Sequence, residues 1–493
     1  MKNNIGKLVA LGLIWEGGTK TAVQIISWVS TIYVANLLSP EDYAYILISG
    51  IICSPAMILS NLGIPSVVIN RKEIKKELLN SLYWLLLLTA SAAYAFIFLI
   101  SGYIEDFYQL PGLADAIKIS GIMVLVSNVK AIPYSLLLKR LSFKYVATTD
   151  MVSKFIQIIL SIVMATYGMG YFSLLVPTIL SQVVLMYMHL VGAQFGLRVV
   201  TFGREGVWGV LKTSYRYLLI GLSRNVNDAA PAFLVSIFLS AYQSGLFQMA
   251  YTIAAIPLVK IGEIFDRIAF PAISSIKDEV EKRKIVYLSL HKAILSITAP
   301  MFLGLYLVSE DLVALLLDDK WSGIAPIIKV LCLISLLKLS MQLMPKIIEG
   351  IGKPTQSLVY QIILGLTVVI GMLIGSNISQ MGLYFGWLLV LPISYIYLLN
   401  VIKKFMGVTL RETILSFAPS VVSVSFMVFC VQMSSLVVDY YEISGLLVLI
   451  IRIVVGVVSY LLIYLFLFKS DVMALYVLLV KDFEGDNKHL PSK

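Results

Sequence analysis

The sequence has few charged residues for its length. Only 13% of its 493 residues are Asp, Glu, Lys or Arg, whereas 59% are hydrophobic, and the mean hydropathy is +0.91. A soluble globular chain carries about 25% charged residues, so this chain has too few charges to cover a surface that faces water. The shortage excludes a cytosolic enzyme, a nucleic-acid-binding protein and a disordered scaffold. It indicates a protein whose main solvent is membrane lipid.

Cysteine and histidine are equally scarce, with three residues of each. Cys53, Cys332 and Cys430 lie in apolar runs, where a thiol behaves as a small hydrophobic group. No CxxC motif occurs, and no Cys/His spacing suits a metal. We therefore expect no metal, no cofactor and no redox chemistry.

Long apolar runs fill most of the chain. A membrane-spanning helix needs about 20 largely apolar residues, and open sheet edges cannot face lipid, so the runs predict an all-α polytopic membrane protein. About fourteen transmembrane helices are predicted, at residues 11–35, 43–65, 79–102, 114–136, 150–168, 171–195, 215–238, 246–267, 287–308, 324–345, 357–375, 381–401, 413–436 and 444–468.

The positions of lysine and arginine predict the orientation of these spans. With the N-terminus inside, 29 of the 38 cationic residues fall in the inner segments or at the inner ends of the spans, as Lys154 does, eight fall elsewhere within the spans, and only Lys320 falls in an outer loop. Cytoplasmic segments are enriched in Lys and Arg, so both termini are expected on the cytoplasmic side. The outer loops are short, which leaves little room for the substrate-binding domain of a membrane glycosyltransferase or polymerase.

The first six spans and the next six resemble each other. The segment Leu38–Ala44 after span one is similar to Leu239–Gly245 after span seven, and Ala116–Lys118 is similar to Ile327–Lys329. Paired repeats of this kind often enclose a central binding site. We predict an N-lobe at 1–196 with helices 1–6, a C-lobe at 197–412 with helices 7–12, helices 13–14 at 413–468, and a cytoplasmic tail at 469–493.

Charged side chains inside the spans carry the functional signal. A cation at mid-bilayer costs about 2.5–3.5 kcal/mol, so such residues usually face a cavity. Three pairs are spaced by about one helical turn and share a helix face: Glu16 with Lys20, Arg224 with Asp228, and Lys260 with Glu263. Lys118 and Lys329 lie near the outer boundary of their spans, where a long side chain can extend its charged end to the membrane surface (snorkelling). A hydrated interior is predicted around the deeper cations, which are Lys130, Lys338 and Arg452.

Span seven also carries two amides, Asn225 and Asn227, beside its charge pair. A buried amide needs hydrogen-bond partners, so we expect this helix face to line a polar cavity. The charges within the spans are predominantly positive, and arginine suits phosphate because its guanidinium donates two parallel hydrogen bonds. A cationic lumen for an anionic head group is therefore predicted, in which the carboxylates could bind H⁺ or Na⁺ and couple transport to an ion gradient.

Several segments resemble a known family of bacterial proteins. They are Leu37–Tyr43, Asn61–Pro65 with Ile69–Glu73, Gly245–Tyr251, and Lys320-Trp321 followed by Pro326. In order and spacing these segments are similar to polysaccharide flippases, specifically the colanic-acid and teichuronic-acid exporter branch of the multidrug/oligosaccharidyl-lipid/polysaccharide superfamily. The resemblance implies two pseudo-symmetric six-helix lobes plus two C-terminal helices in the bacterial cytoplasmic membrane.

The same resemblance implies a function. Such proteins move undecaprenyl-pyrophosphate-linked oligosaccharide repeat units from the cytoplasmic to the outer leaflet by alternating access. The resemblance is also compatible with association with other polysaccharide-assembly proteins. In such flippases, helices one, two, seven and eight line a cationic cavity, which makes Lys20, Arg224 and Lys260 candidate substrate contacts and Glu16, Asp228 and Glu263 candidate coupling acids. Two alternatives stay open: a drug or organic-cation antiporter of the same superfamily, and a membrane glycosyltransferase or polymerase.

Overall fold

The computed structural model describes residue 24 and residues 26–71, 73–196, 204–276, 279–440 and 445–468. Every long element in these ranges is an α-helix. The fifteen helices are α1 (Ile26–Leu37), α2 (Pro40–Asn61), α3 (Ile64–Asn70), α4 (Lys76–Tyr108), α5 (Leu113–Lys139), α6 (Phe143–Thr166), α7 (Phe172–Gly192), α8 (Arg204–Phe238), α9 (Ala241–Ser275), α10 (Val280–Leu316), α11 (Ile324–Gly350), α12 (Pro354–Ser376), α13 (Gln380–Met406), α14 (Leu410–Tyr440) and α15 (Leu446–Leu467).

The helices confirm the predicted all-α membrane class. Eleven of those in the described ranges, α2, α4–α7 and α10–α15, are long and apolar enough to cross a bilayer. The predicted spans one, seven and eight fall on α1, α8 and α9. Both α8 and α9 contain 35 residues, or about 52 Å of helix, which exceeds a hydrocarbon core of about 30 Å. The total of fourteen crossings stays a prediction.

One short helix was not predicted. The sequence suggested a single span over 43–65, but α2 ends at Asn61 and α3 begins at Ile64. Leu62 and Gly63 between them both have positive φ angles, of 53° and 68°. A methyl group on Gly63 would overlap the backbone carbonyl of Ser214 in α8. The break therefore depends on a glycine that permits both a left-handed conformation and a close helix contact.

The two corners of the predicted repeat have matching hydrogen bonds. Before α2, the amide of Ser39 donates to Asp42 Oδ2 at 2.9 Å, and the amide of Asp42 donates to Ser39 Oγ at 3.3 Å. Before α9, the amide of Ser240 donates to Gln243 Oε1 at 3.2 Å, and the amide of Gln243 donates to Ser240 Oγ at 3.3 Å. Both are reciprocal caps that satisfy free amides at a helix start. The repeat at these corners is therefore present in the structure as well as in the sequence.

The described residues fall into two compact units, one ending at Gln248 and the other beginning at Met249. Helix α8, which the sequence assigned to the C-lobe, lies in the first unit because it packs along α2 and also contacts α3 and α4. The predicted division at residues 1–196, 197–412, 413–468 and 469–493 stays a prediction.

Each unit has its own apolar core. In the first unit, Ile64, Val68, Leu82, Leu86 and Ile132 are fully buried where α3, α4 and α5 meet.

The second unit is packed around α10, α14 and α15. Met427 and Val431 of α14 are buried against Tyr460 and Tyr464 of α15 and Ala299 of α10. At one end of this group, Lys284 Nζ of α10 lies 2.6 Å from Glu412 Oε1 of α14.

Helices α12 and α13 approach each other at four glycines. A methyl group on Gly371 would overlap the backbone of Gly386, and one on Gly375 would overlap the backbone of Gly382. The glycines are four residues apart on each helix, which is the small-xxx-small pattern that lets helix backbones touch within a membrane. This pair of helices has the most extensive contact among the described elements.

Candidate functional site: charges within the helices

The structure does not describe the side chains of four predicted site residues. Glu16 and Lys20 lie outside the described residues. Lys260 and Glu263 lie on the helical backbone of α9, and their side chains are outside the description. Their proposed roles therefore depend on the sequence.

Helix α8 carries the charged and amide residues predicted for span seven. Arg224, Asn225 and Asn227 are half-buried, and Asp228 is exposed. Arg224 lies fourteen residues before the end of α8 at Phe238, or about 21 Å along the axis. The buried Oδ1 of Asn225 has no hydrogen-bond partner among the described residues. The helix continues through Pro231, so the four polar residues lie on one uninterrupted element.

Lys130 of α5 contacts a polar side chain of another helix. Its Nζ donates to Oε1 of Gln182 in α7. Lys130 is half-buried. The sequence indicated no partner for this lysine within its own helix, and the structure provides one on a neighbouring helix, Gln182 of α7.

Lys338 of α11 lies against an aromatic ring. Its Nζ is 5.7 Å from the ring centroid of Trp387 in α13. A cation at this distance over indole is attracted by the ring's electron density. Lys338 is half-buried in the second unit, where this contact lowers the cost of holding the ammonium group within the helices.

Arg452 of α15 forms an ion pair with Asp311 of α10. The two side chains are only 18% and 25% exposed. Since Asp311 lies 141 residues earlier, helical spacing could not reveal it. The pair ties α15 to α10 and neutralises a charge that the sequence left without a partner.

Lys118 and Lys329 both have an acidic partner near the end of a helix. Lys118 lies 3.4 Å from Asp115 and over the ring of Phe98. Lys329 pairs with Glu310. The carboxylates of both pairs are well exposed, at 66% and 71%, and snorkelling of the two lysines stays a prediction.

A set of polar groups between α6 and α7 was missed by the sequence reasoning. Lys154 Nζ donates to Gln157 Oε1 at 2.9 Å, and Gln157 Nε2 donates to Thr178 Oγ1 at 2.8 Å. Lys154 was counted with the inner-segment charges, yet it lies eleven residues into α6. The signal that could have found this set is the spacing of Asp150, Lys154 and Gln157, which places them on one face of a helix.

The side chains of the two histidines in the described ranges are buried and hydrogen-bonded. His291 bonds to Ser416 Oγ at 2.8 Å and to the Tyr395 hydroxyl at 3.2 Å. His189 bonds to Thr149 Oγ1 at 3.3 Å. Among the described residues, no three His, Cys, Asp or Glu side chains form a group that could hold a metal ion.

An apolar pocket of about 380 Å³ lies between α2, α4 and α8. Its walls include Tyr103, Phe107 and Tyr108 of α4 and Phe233 and Ile237 of α8. Tyr108 and Ser236 close one side through a hydrogen bond of 2.9 Å between their hydroxyl groups. The lining offers no charge to an anionic group, so this pocket is suited to hydrocarbon and does not contribute to the predicted cationic site.

The fold is similar to those of solved membrane transporters. Over 93% of this chain and 100% of the other, the structure is similar to the lipid II flippase MurJ in an inward closed conformation, with a TM-score of 0.73 and 16% sequence identity. It is also similar to a multidrug resistance MATE family transporter in an inward-facing conformation, with a TM-score of 0.57, 17% identity, and coverage of 82% and 94% of the two chains. The chain therefore has the fold of a polytopic membrane transporter.

The sequence comparisons place it more narrowly. The pattern of the family described as "Polysaccharide biosynthesis protein" matches residues 33–326, more than half of the chain, and the chain belongs to this family. It is 26% identical to the lipopolysaccharide biosynthesis protein WzxC of Escherichia coli (strain K12), over 87% of this chain and 86% of the relative. It is 24% identical to the teichuronic acid biosynthesis protein TuaB of Bacillus subtilis (strain 168), over 69% and 70%.

Proposed function

We propose that the protein is a flippase that moves undecaprenyl-pyrophosphate-linked oligosaccharide repeat units from the cytoplasmic leaflet to the outer leaflet of a bacterial cytoplasmic membrane. The observation that carries the proposal is the fold shared with a lipid II flippase along 93% of the chain, together with membership of a polysaccharide biosynthesis family. The protein is a transporter and not an enzyme, it works by alternating access, and both termini lie on the cytoplasmic side.

The substrate's diphosphate is assigned to the cations of spans one, seven and eight. Arg224 provides the bidentate donor, and Lys20 and Lys260 provide further positive charge. A diphosphate in a membrane interior requires such compensation because charge is costly there. Lys130 and Lys338 are further cations of the proposed lumen, as is Arg452, which can bind substrate only when its pair with Asp311 opens.

The amides and acids have a separate proposed role. Asn225 and Asn227 provide neutral hydrogen-bonding groups beside Arg224 on α8. Glu16, Asp228 and Glu263 bind H⁺ or Na⁺, so that transport is driven by the gradient of that ion. The exposed side chain of Asp228 supports this role, because a coupling acid must exchange its ion with water. Association with other polysaccharide-assembly proteins belongs to the same proposal.

The test uses a bacterial strain that lacks its own exporter of lipid-linked repeat units. The full chain should restore surface polymer, and the Arg224→Ala and Lys20→Ala double variant should lose most of it. Arg216→Ala is the matched control, because Arg216 lies on the same helix and is exposed, and it should retain export. Full export by the double variant would show that these two cations do not bind the substrate.

The same strain separates the proposal from the antiporter alternative. A drug or organic-cation antiporter of this fold would give resistance to cationic dyes and would leave the surface polymer absent. A flippase would restore polymer with no change in dye resistance. A glycosyltransferase or polymerase would change neither, because the lipid-linked repeat units would stay in the cytoplasmic leaflet.

A further inference from the structure

Two hydrogen-bonded sets of polar groups lie on α5, α6 and α7 of the first unit, and they share the face of α7 on which Thr178 and Gln182 are four residues apart. Lys130 contacts Gln182, and Lys154, Gln157 and Thr178 follow in a chain of hydrogen bonds of 2.9 and 2.8 Å. These five residues are named here the polar column.

The column lies deep within the helices. Lys130 is nine residues from the end of α5, and Gln182 is ten residues from the end of α7, or about 14–15 Å. Lys154 and Gln157 are eleven and fourteen residues from the start of α6, or about 16–21 Å. These positions are measured from the same end of the antiparallel helices, so the column extends well into the hydrocarbon region.

The column has an accessible side. Lys130, Gln182, Lys154, Gln157 and Thr178 are all half-buried and not sealed in the core. Charged and amide groups on membrane helices face a cavity because exposure to lipid is costly. The accessible side of the column therefore faces water or a polar ligand.

The column combines the ammonium groups of Lys130 and Lys154 with two carboxamides and a hydroxyl. An ionised diphosphate has no hydrogen-bond donor, so it would leave the amide and hydroxyl acceptors of the column unused. The hydroxyl groups of a sugar both donate and accept hydrogen bonds, so they match a surface that offers both.

We propose that the polar column binds the sugar part of the lipid-linked substrate, separately from the cations that bind its diphosphate. This inference rests on the proposed function and assigns a part of the substrate to residues that, apart from Lys130, the sequence reasoning had not selected. The internal hydrogen bonds hold Gln157 and Gln182 in position before the sugar arrives, which reduces the ordering that binding requires.

The test compares two probes on the purified full chain. One is undecaprenyl diphosphate, which has no sugar. The other is the undecaprenyl-diphosphate-linked oligosaccharide extracted from the strain in which the chain restores surface polymer. The Gln157→Leu and Gln182→Leu double variant should bind the sugar-bearing probe about tenfold more weakly, as expected for the loss of two hydrogen bonds, and should bind undecaprenyl diphosphate as the unaltered chain does.

Two further variants complete the comparison. Gln432→Leu removes an exposed amide from α14 in the second unit and should bind both probes normally. Arg224→Ala should weaken both probes. If the double variant cannot be purified as a folded protein, Thr178→Val keeps the size of the side chain while removing the hydroxyl that holds Gln157, and it should show the same selective loss in smaller degree.

The outcomes distinguish this inference from the function on which it rests. Selective loss of the sugar-bearing probe supports the polar column as a sugar site. Equal loss of both probes, or no loss of either, overturns the inference, and a lower melting temperature without selective loss identifies the column as a structural link between α6 and α7. Failure of the unaltered chain to bind either probe or to restore polymer would overturn the proposed function itself.

Discussion

Pro40 and Gly245 lie against each other in the first unit, so closely that a methyl group on Gly245 would overlap the backbone carbonyl oxygen of Pro40. Pro40 is the first residue of α2, and Gly245 is the fifth residue of α9. The two corners that repeat in sequence and in hydrogen bonding therefore meet directly. Only glycine permits this approach of one backbone to another.

The substitution Gly245→Ala should separate these corners. Overpacking of a close contact costs about 1–3 kcal/mol, and here the atom that would be displaced belongs to the backbone. We expect a lower melting temperature of the purified protein and reduced export of surface polymer. Gly50→Ala in α2 is the control because nothing lies within 4 Å of a methyl group there. Equal behaviour of the two variants would contradict the described contact.

Helices α12 and α13 should separate when a glycine between them is replaced. Gly375→Leu places a side chain where the backbone of Gly382 lies, and helix association in membranes depends on such close packing. We expect a marked fall in melting temperature and in the yield of folded protein. Gly304→Leu in α10, where a methyl group meets nothing within 4 Å, should be tolerated. The packing of α12 on α13 would be refuted if both variants were equally stable.

The pair of Arg452 and Asp311 should behave as a structural link between α15 and α10. Removing one partner of a mostly buried ion pair leaves the other charge uncompensated, which costs up to about 3–5 kcal/mol. Arg452→Gln and Asp311→Asn should each lower the melting temperature, and the double variant should recover part of the loss. Strictly additive losses would show that the two side chains do not interact.

Asp228 is expected to couple transport to an ion gradient. Asp228→Asn keeps the size of the side chain but cannot ionise, so transport by the purified protein in vesicles should no longer respond to an imposed H⁺ or Na⁺ gradient. Asp115→Asn serves as the control, since Asp115 is an exposed residue already paired with Lys118. A response to the gradient by Asp228→Asn equal to that of the unaltered chain would remove Asp228 from the coupling mechanism.

Much of the fold could be predicted because a membrane helix is encoded locally. Each predicted span overlaps a helix over the described ranges, since twenty apolar residues in succession have few alternatives in lipid. The Ser39-Pro40 corner was also predictable, because proline and serine favour the start of a helix. The break at Gly63 was not, because it depends on contact with Ser214, far along the chain.

The candidate site was less accessible to sequence reasoning. Spacing along one helix identified Arg224 with Asp228, because residues four apart share a face. It could not identify Asp311 for Arg452 or Gln182 for Lys130, since both contacts join different helices. Partners of this kind are set by helix packing, and the sequence of one helix does not contain that information.

The most direct test of the central claim measures transfer of a lipid-linked oligosaccharide across a bilayer. The purified full chain is placed in vesicles that hold the undecaprenyl-diphosphate-linked oligosaccharide in both leaflets, and a sugar-oxidising reagent that cannot cross the bilayer is added outside. The unaltered chain should make the inner pool of sugar reactive, and Arg224→Ala should slow this exposure. Protection of the inner pool in vesicles that contain folded, unaltered chain under an imposed H⁺ or Na⁺ gradient would contradict the central claim.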